Sequence, residues 1–163
     1  MQSIKLFTDG SVNPQLKVGF GAYLVVENAC CVKMLQDKIQ IKRFENTSST
    51  ALELETLLWA LEEINPVNKK ISVYTDCQNI LGLKTRCEKF EKNGYVTRGN
   101  KPISHHKLYE AFYKKVRQLE CEFIKVEGHK KTALKDETDM LFTLVDKASR
   151  NALRENRIKS TDV

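Results

Sequence analysis

Four acidic residues sit where apolar segments end. Asp9 closes IKLFT, Asp76 closes ISVYT, Asp146 follows FTLV, and Glu53 lies within the run STALELETLLWAL. Like carboxylates repel one another and lose hydration when gathered, so a fold brings them together only if something neutralises them. A divalent cation is the usual neutraliser. The pattern therefore favours folds in which several segment ends meet at one point.

The periodicity between these acids predicts an alternation of strands and helices. Residues 4–7 and 20–26 are strand-like, the second following the Gly19 and Gly21 punctuation, and 30–35 and 38–44 continue a meander. Thr47, Ser48, Ser49 and Thr50 are N-cap candidates, with Glu53 three residues after Thr50 as in a capping box, for a helix to residue 64 ended by Asn65 and Pro66. Residues 71–74 read as a central strand, 78–92 as a helix weakened by Gly82, and Asn93–Gly94 as a turn. Ser104 is a candidate cap for a helix to 119, 123–126 is the last strand, and 136–154 the last helix. This order implies an α/β fold with a mixed sheet flanked by helices, its parallel members joined by helical crossovers.

A chain of 163 residues suits one domain with a sizeable core, here 1–156 followed by a short polar tail, 157–163. No apolar run approaches the ~18 residues of a membrane span. The start, MQSIKLF, has no leader-like basic and apolar regions, so a cytoplasmic setting is the expectation. Cys30, Cys31, Cys77, Cys87 and Cys121 are odd in number and lack paired CxxC spacing, which argues against a disulfide framework or a zinc site. Cys77 adjoins Asp76, but strand alternation turns neighbouring side chains to opposite faces, so a packing role is expected.

The net charge of +6 is concentrated. Between positions 84 and 107, Lys84, Arg86, Lys89, Lys92, Arg98, Lys101 and Lys107 face only Glu88 and Glu91, a local net of +5, with Tyr95 among them. Such a stretch suits a polyanion whose phosphates release counterions. A solvated helix face gives the same composition.

Taken in order, TDGS at 8–11, the helix carrying Glu53, YTD at 74–76, GH at 128–129 and VDKASR at 145–150 resemble ribonuclease H of type 1. The resemblance covers nearly the whole chain. It implies the ribonuclease H-like fold, a mixed five-stranded sheet with three antiparallel strands plus parallel strands. It also implies a metal-dependent endonuclease that cuts the RNA strand of RNA/DNA hybrids, leaving 5′-phosphate and 3′-hydroxyl ends.

Glu53 and Glu55 compete for one helical position. At about 100° per residue, Glu53 falls within about 20° of Ile64 at the edge of the Leu54, Leu57, Leu58, Leu61 stripe, whereas Glu55 falls about 40° beyond Ala51. Glu53 also lies seven residues before Ala60–Leu61–Glu62, as the family's glutamate does before its own Ala-Leu-Glu. The fourth acid is open. VDKASR points to Asp146, but the family's spacing from its histidine, applied to His129, lands on Asp139, seven residues earlier. Seven residues is about two helical turns, so both share a face; Asp136 is a third candidate.

Under this resemblance Asp9, Glu53, Asp76 and Asp146, or Asp139 in its stead, hold two Mg²⁺ ions, with Mn²⁺ a possible substitute. Hard Mg²⁺ prefers carboxylate, phosphate and water oxygens, and two ions about 4 Å apart suit in-line phosphodiester displacement. Asp9 bridges the two. His129 matches the flexible-loop histidine that assists proton transfer or product release. Ser11, Asn13 and Gln78 occupy positions facing the RNA, whose 2′-hydroxyls distinguish it from DNA, and Ser49 and Thr50 stand where the family has an Asn pair near the DNA strand. The Lys84–Lys107 stretch, with NGY, KPI and KLY, resembles the basic protrusion that grips the hybrid. A monomer with no obligate protein partner is implied. Two other readings are a catalytically silent hybrid-binding domain and another nuclease of this fold, such as a resolvase, transposase or exonuclease.

Overall fold

The computed structural model describes residues 2–27, 32–127 and 130–161. Its frame is a five-stranded sheet in the order β3-β2-β1-β4-β5. Strand β1 (Gln2–Asn13) is central, antiparallel to β2 (Val18–Val26) and parallel to β4 (Lys69–Thr75). Strand β3 (Gln40–Glu45) pairs antiparallel with β2, and β5 (Glu120–Lys125) parallel with β4. This is the mixed sheet that the sequence predicts.

Parallel neighbours need crossovers, and helices supply them. Helix α2 (Ser49–Ile64) carries the chain from β3 to β4, and α3 (Gln78–Lys92) and α4 (His106–Arg117) carry it from β4 to β5. Strand alternation divides the core into two layers. Ile4, Leu6, Ile71 and Val73 pack with α2, α3 and α4, whereas Phe7, Ala22, Leu24 and Tyr74 pack with α5 (Glu137–Thr161).

Several local expectations are corrected. Residues 32–35 are a helical turn, α1 (Val32–Leu35), continued by a 3₁₀ turn at Gln36–Lys38, where a strand over 30–35 was expected; residues 30 and 31 lie outside the described residues. Leu35 is buried against the α5 layer, so a single helical turn satisfies its apolar demand. Helix α2 is capped by Ser48, whose Oγ accepts from Ala51 N at 3.2 Å, so Thr50 and Glu53 form no capping box. Ser104 does not cap α4; His105 takes that place in left-handed backbone at φ 62° without a side-chain cap. Strand β5 begins at Glu120 rather than at 123, and α5 runs through the expected tail to Thr161.

The weak point of α3 is Gly82. Its φ is not positive, and a Cβ there would meet only the Arg86 guanidinium, at 3.5 Å, an ordinary contact. Glycine in a helix interior costs about 0.5–1 kcal/mol relative to alanine. Gly82→Ala is therefore expected to stabilise the fold by about that amount. Urea unfolding followed by circular dichroism checks this: the midpoint should rise with an unchanged slope.

Candidate active site

The register of β1 and β4 sets two acids side by side. Phe7 and Tyr74 are directly paired and their rings stack at 4.7 Å. Two residues beyond that last β1–β4 pair come Asp9, still within β1, and Asp76, directly after β4 ends, so both lie past the C-terminal end of the parallel ladder, where open α/β sheets form their sites.

Glu53 arrives from α2 because that helix lies close to the sheet. Gly10 and Gly21 are directly paired across β1 and β2, and both lack the side chain that would hold α2 away. A Cβ on Gly10 would lie 2.9 Å from the Leu52 side chain, and one on Gly21 only 2.1 Å from Thr56 Oγ1. Thr56 cannot easily yield, since its hydroxyl donates to Leu52 O at 2.7 Å within the buried helix. The sequence reading took Gly21 for strand punctuation. Its structural task is to admit α2. Gly21→Ala is accordingly expected to cost about 1–3 kcal/mol, the usual range for overpacking, and to lower activity by displacing Glu53. Thermal unfolding beside a rate measurement tests both.

The three carboxylates converge. Asp9, Glu53 and Asp76 each offer an oxygen, and these all lie within 4.8 Å of one another. Asp9 is 6% exposed. Burial foremost, then the charge of Glu53, pushes the Asp9 carboxyl up to about 9, opposed by the hydrogen bond that Gly10 N donates to its Oδ1 at 2.9 Å. Burial and the charge of Asp76 push Glu53 up to about 8. Glu53 Oε2 is buried with no hydrogen-bond partner among the described residues. A buried, unsatisfied carboxylate oxygen is costly, and a set of hard oxygen donors with one orphaned oxygen fits a hard divalent cation. Glu55 is elsewhere, accepting from Thr47 Oγ1 at 2.6 Å.

The two candidates for fourth acid have different surroundings. The Asp146 side chain stands near enough to Asp9 to help push its carboxyl up, and it pairs with Arg150 Nε at 3.0 Å. Asp139 lies two turns earlier on α5, roughly 10 Å along the axis. There it forms a reciprocal capping pair: Asp136 N donates to Asp139 Oδ2 at 3.1 Å and Asp139 N to Asp136 Oδ1 at 2.8 Å. Lys130 Nζ adds an ion pair at 3.2 Å. Those contacts, the Asp136 amide first, hold the Asp139 carboxyl below the usual carboxylate range. A capping box thus occupies the start of α5, where the spacing also allowed a metal ligand.

The remaining candidates are dispersed. Ser11 Oγ is within 3.0 Å of Ser149 Oγ on α5, and Asn13 Oδ1 accepts from the amides of Gln15 and Leu16 in the β1–β2 turn. Ser49 and Thr50 open α2, and Gln78, exposed, opens α3 beside Asp76. Lys84 donates to Cys121 O, and Arg86 turns back along α3 to bond Asn79 and Gly82. Lys89 and Arg98 line a groove with Phe90, Val96 and Ile103, and Lys92 and Lys101 are exposed. His129 lies outside the described residues. Cys77 is half-buried, and burial above all pushes its thiol up, which disfavours a nucleophilic thiolate. Cys77, Cys87 and Cys121 are free thiols. No helix among the described residues is long and apolar enough to cross a membrane.

A cleft of about 340 Å³ opens beside the acids, lined by Asp76 and Asp146 together with Lys135, Thr143, Lys147 and Arg150. Lys135 stands just before α5 and Thr143 within it, between Asp139 and Asp146, and neither is among the residues singled out from the sequence. Their signal in the sequence was only that Asp139, Thr143, Asp146 and Arg150 recur at helical spacing.

Comparison with known proteins accords with this geometry. The family model described as RNase H matches residues 1–150. The chain is 28% identical over 132 residues to a Ribonuclease H of Novosphingobium aromaticivorans, covering 79% of this chain and 86% of the relative. It is 26% identical over 144 residues to a Ribonuclease H of Pseudoalteromonas atlantica, covering 86% and 88%. Among solved structures, a foamy viral protease-reverse transcriptase in complex with dsDNA superposes with a TM-score of 0.60 at 10% identity, covering 91% of this chain and 93% of that one. The native protease-reverse transcriptase of Prototype Foamy Virus gives 0.64 at 16% identity over 91% of this chain and 20% of its own.

Proposed function

We propose, from the premise that the chain belongs to the RNase H family, that it is a divalent-cation-dependent endonuclease which hydrolyses the RNA strand of RNA/DNA hybrids to 5′-phosphate and 3′-hydroxyl ends. The observation that carries this reading is the trio of Asp9, buried, with Glu53 and Asp76, half-buried, each of which offers a carboxylate oxygen within 4.8 Å of the others. Fixed carboxylates at that separation repel each other. The arrangement is suited to a cation-loaded state.

Asp9, Glu53, Asp76 and Asp146 would hold Mg²⁺, two ions in the presence of substrate, with Mn²⁺ a possible substitute. Bound there, Mg²⁺ supplies Lewis-acid polarisation of the phosphodiester and a lowered pKa for the attacking water. The chain's own contribution is placement. Asp9 is fixed by the Gly10 amide, Glu53 by the close seating of α2, and Asp76 by its position at the end of β4. Asp146 is chosen over Asp139 because it reaches Asp9, whereas Asp139 caps α5. His129 would assist proton transfer or product release. The basic segment with Lys89, Lys92, Arg98 and Lys101 would hold the hybrid away from the cut through its phosphates, and Gln78, Ser11, Asn13, Ser49 and Thr50 would lie along the strands.

The ends of the products test the chemistry. Hydrolysis by an activated water yields RNA fragments with 5′-phosphate and 3′-hydroxyl ends, which mass spectrometry identifies. Fragments bearing 2′,3′-cyclic phosphates would mean attack by the RNA's own 2′-hydroxyl and would sink the proposed mechanism.

A further inference from the structure

The geometry points to a phosphate subsite beside the acidic cluster: Lys135, braced by Thr143, with Lys147, binds a phosphodiester of the cut strand adjacent to the one being hydrolysed. This rests on the proposed hybrid-cleaving activity and extends it. The 340 Å³ cleft is continuous with the cluster, since Asp76 and Asp146 line both. Its cations are not equivalent. Lys130 is paired with Asp139 and Arg150 with Asp146. No ion pair with Asp or Glu is found for Lys135 or Lys147 among the described residues.

Lys135 is half-buried and its Nζ donates to the neutral Thr143 Oγ1 at 3.0 Å. Thr143 is itself anchored, donating to Asp139 O at 2.8 Å. A lysine Nζ that spends one donor on a hydroxyl has its remaining N–H donors left for an anion. Lys147 follows Asp146 on α5, is exposed, and lines the same cleft. Since the cleft starts at the acids that would bracket the scissile phosphate, the anion within reach is the neighbouring linkage of the same strand. Thr143 lies on the two turns of α5 between Asp139 and Asp146, and Lys135 in the loop just before α5. The start of α5 and the loop before it thereby form a ledge that grips the strand close to the cut.

The test uses RNA/DNA hybrids in which single RNA-strand phosphates are replaced in turn by uncharged methylphosphonates. The full-length wild type is assayed beside Lys135→Ala, Lys147→Ala and Thr143→Val. At one linkage next to the cut, neutralisation should lower wild-type kcat/KM by about tenfold, as expected for one lost charge-assisted hydrogen bond. The same change should cost Lys135→Ala less than about twofold. Thr143→Val, which loosens Lys135, should fall between them. Lys147→Ala should reduce the salt dependence of binding by about one phosphate's worth. If wild type and Lys135→Ala suffer equally at every linkage, the subsite is wrong while the activity stands. If the wild type does not cut the unmodified hybrid, both readings fall together.

Discussion

Asp9→Asn is expected to abolish turnover while making the metal-free protein more stable. Asparagine keeps the shape of the side chain and an oxygen to accept from Gly10 N, so local backbone geometry is retained. It removes the most deeply buried carboxyl group of the trio. Metal-assisted charge stabilisation is worth several kcal/mol in the transition state, so kcat should fall by about 10³- to 10⁴-fold. In chelator near neutral pH, the variant no longer has to take up a proton on folding to seat a carboxyl beside Glu53 and Asp146. Relief of about 1–2 kcal/mol would raise Tm by roughly 2–8 °C for a chain of this size. Differential scanning calorimetry beside steady-state kinetics reads both. Lost activity with a lowered Tm would mean a folding defect, and retained activity would remove Asp9 from the catalytic set.

Stability without metal should fall as pH rises, and a divalent cation should reverse the trend. Asp9 is pushed up to about 9 and Glu53 to about 8, mainly by burial, whereas in the unfolded chain both titrate near 4. Between those values the folded state binds more protons than the unfolded one. The stability contributed by these protonated acids is therefore complete below about pH 4 and is lost progressively as pH rises to about 9. A cation binds only the deprotonated ligands, so its affinity grows over the same range. Saturation at about a hundredfold over Kd adds roughly 2.7 kcal/mol. Saturating Mg²⁺ should accordingly raise Tm by about 5–10 °C at pH 8.5 and by much less at pH 5.5. Thermal melts with Mg²⁺ and with chelator across this range check the sign; an equal shift at both pH values would show that the cation binds elsewhere.

Much of this architecture was legible because local and global signals agree. Helix α3 has the bounds expected from the sequence, Gln78 to Lys92, since the Asn93–Gly94 turn that ends it is a local signal. Glu53 is separated from Glu55 by helical angle and by its spacing before Ala60–Leu61–Glu62, and it is Glu53 that meets Asp9 and Asp76. What stayed hidden depends on contacts distant in sequence. That Gly10 and Gly21 are opposed, and that Thr56 stands over Gly21, follows from strand register and helix seating. The same holds at the start of α5. Asp136 and Asp139 form a reciprocal cap that only the helix boundary discloses, so spacing left Asp139 and Asp146 open. Turn 32–35 misled for the opposite reason, as four residues carry too little periodicity to separate helix from strand.

The most direct measurement is cleavage of a hybrid labelled separately on its RNA and DNA strands, beside double-stranded RNA, double-stranded DNA and single strands, each with Mg²⁺, Mn²⁺ or chelator. Cutting of the hybrid's RNA strand alone, dependent on the cation and lost in Asp9→Asn, is the predicted result. Tight hybrid binding without cutting would instead mark a silent binding domain, and cleavage of DNA another nuclease of the same fold; either would contradict the account.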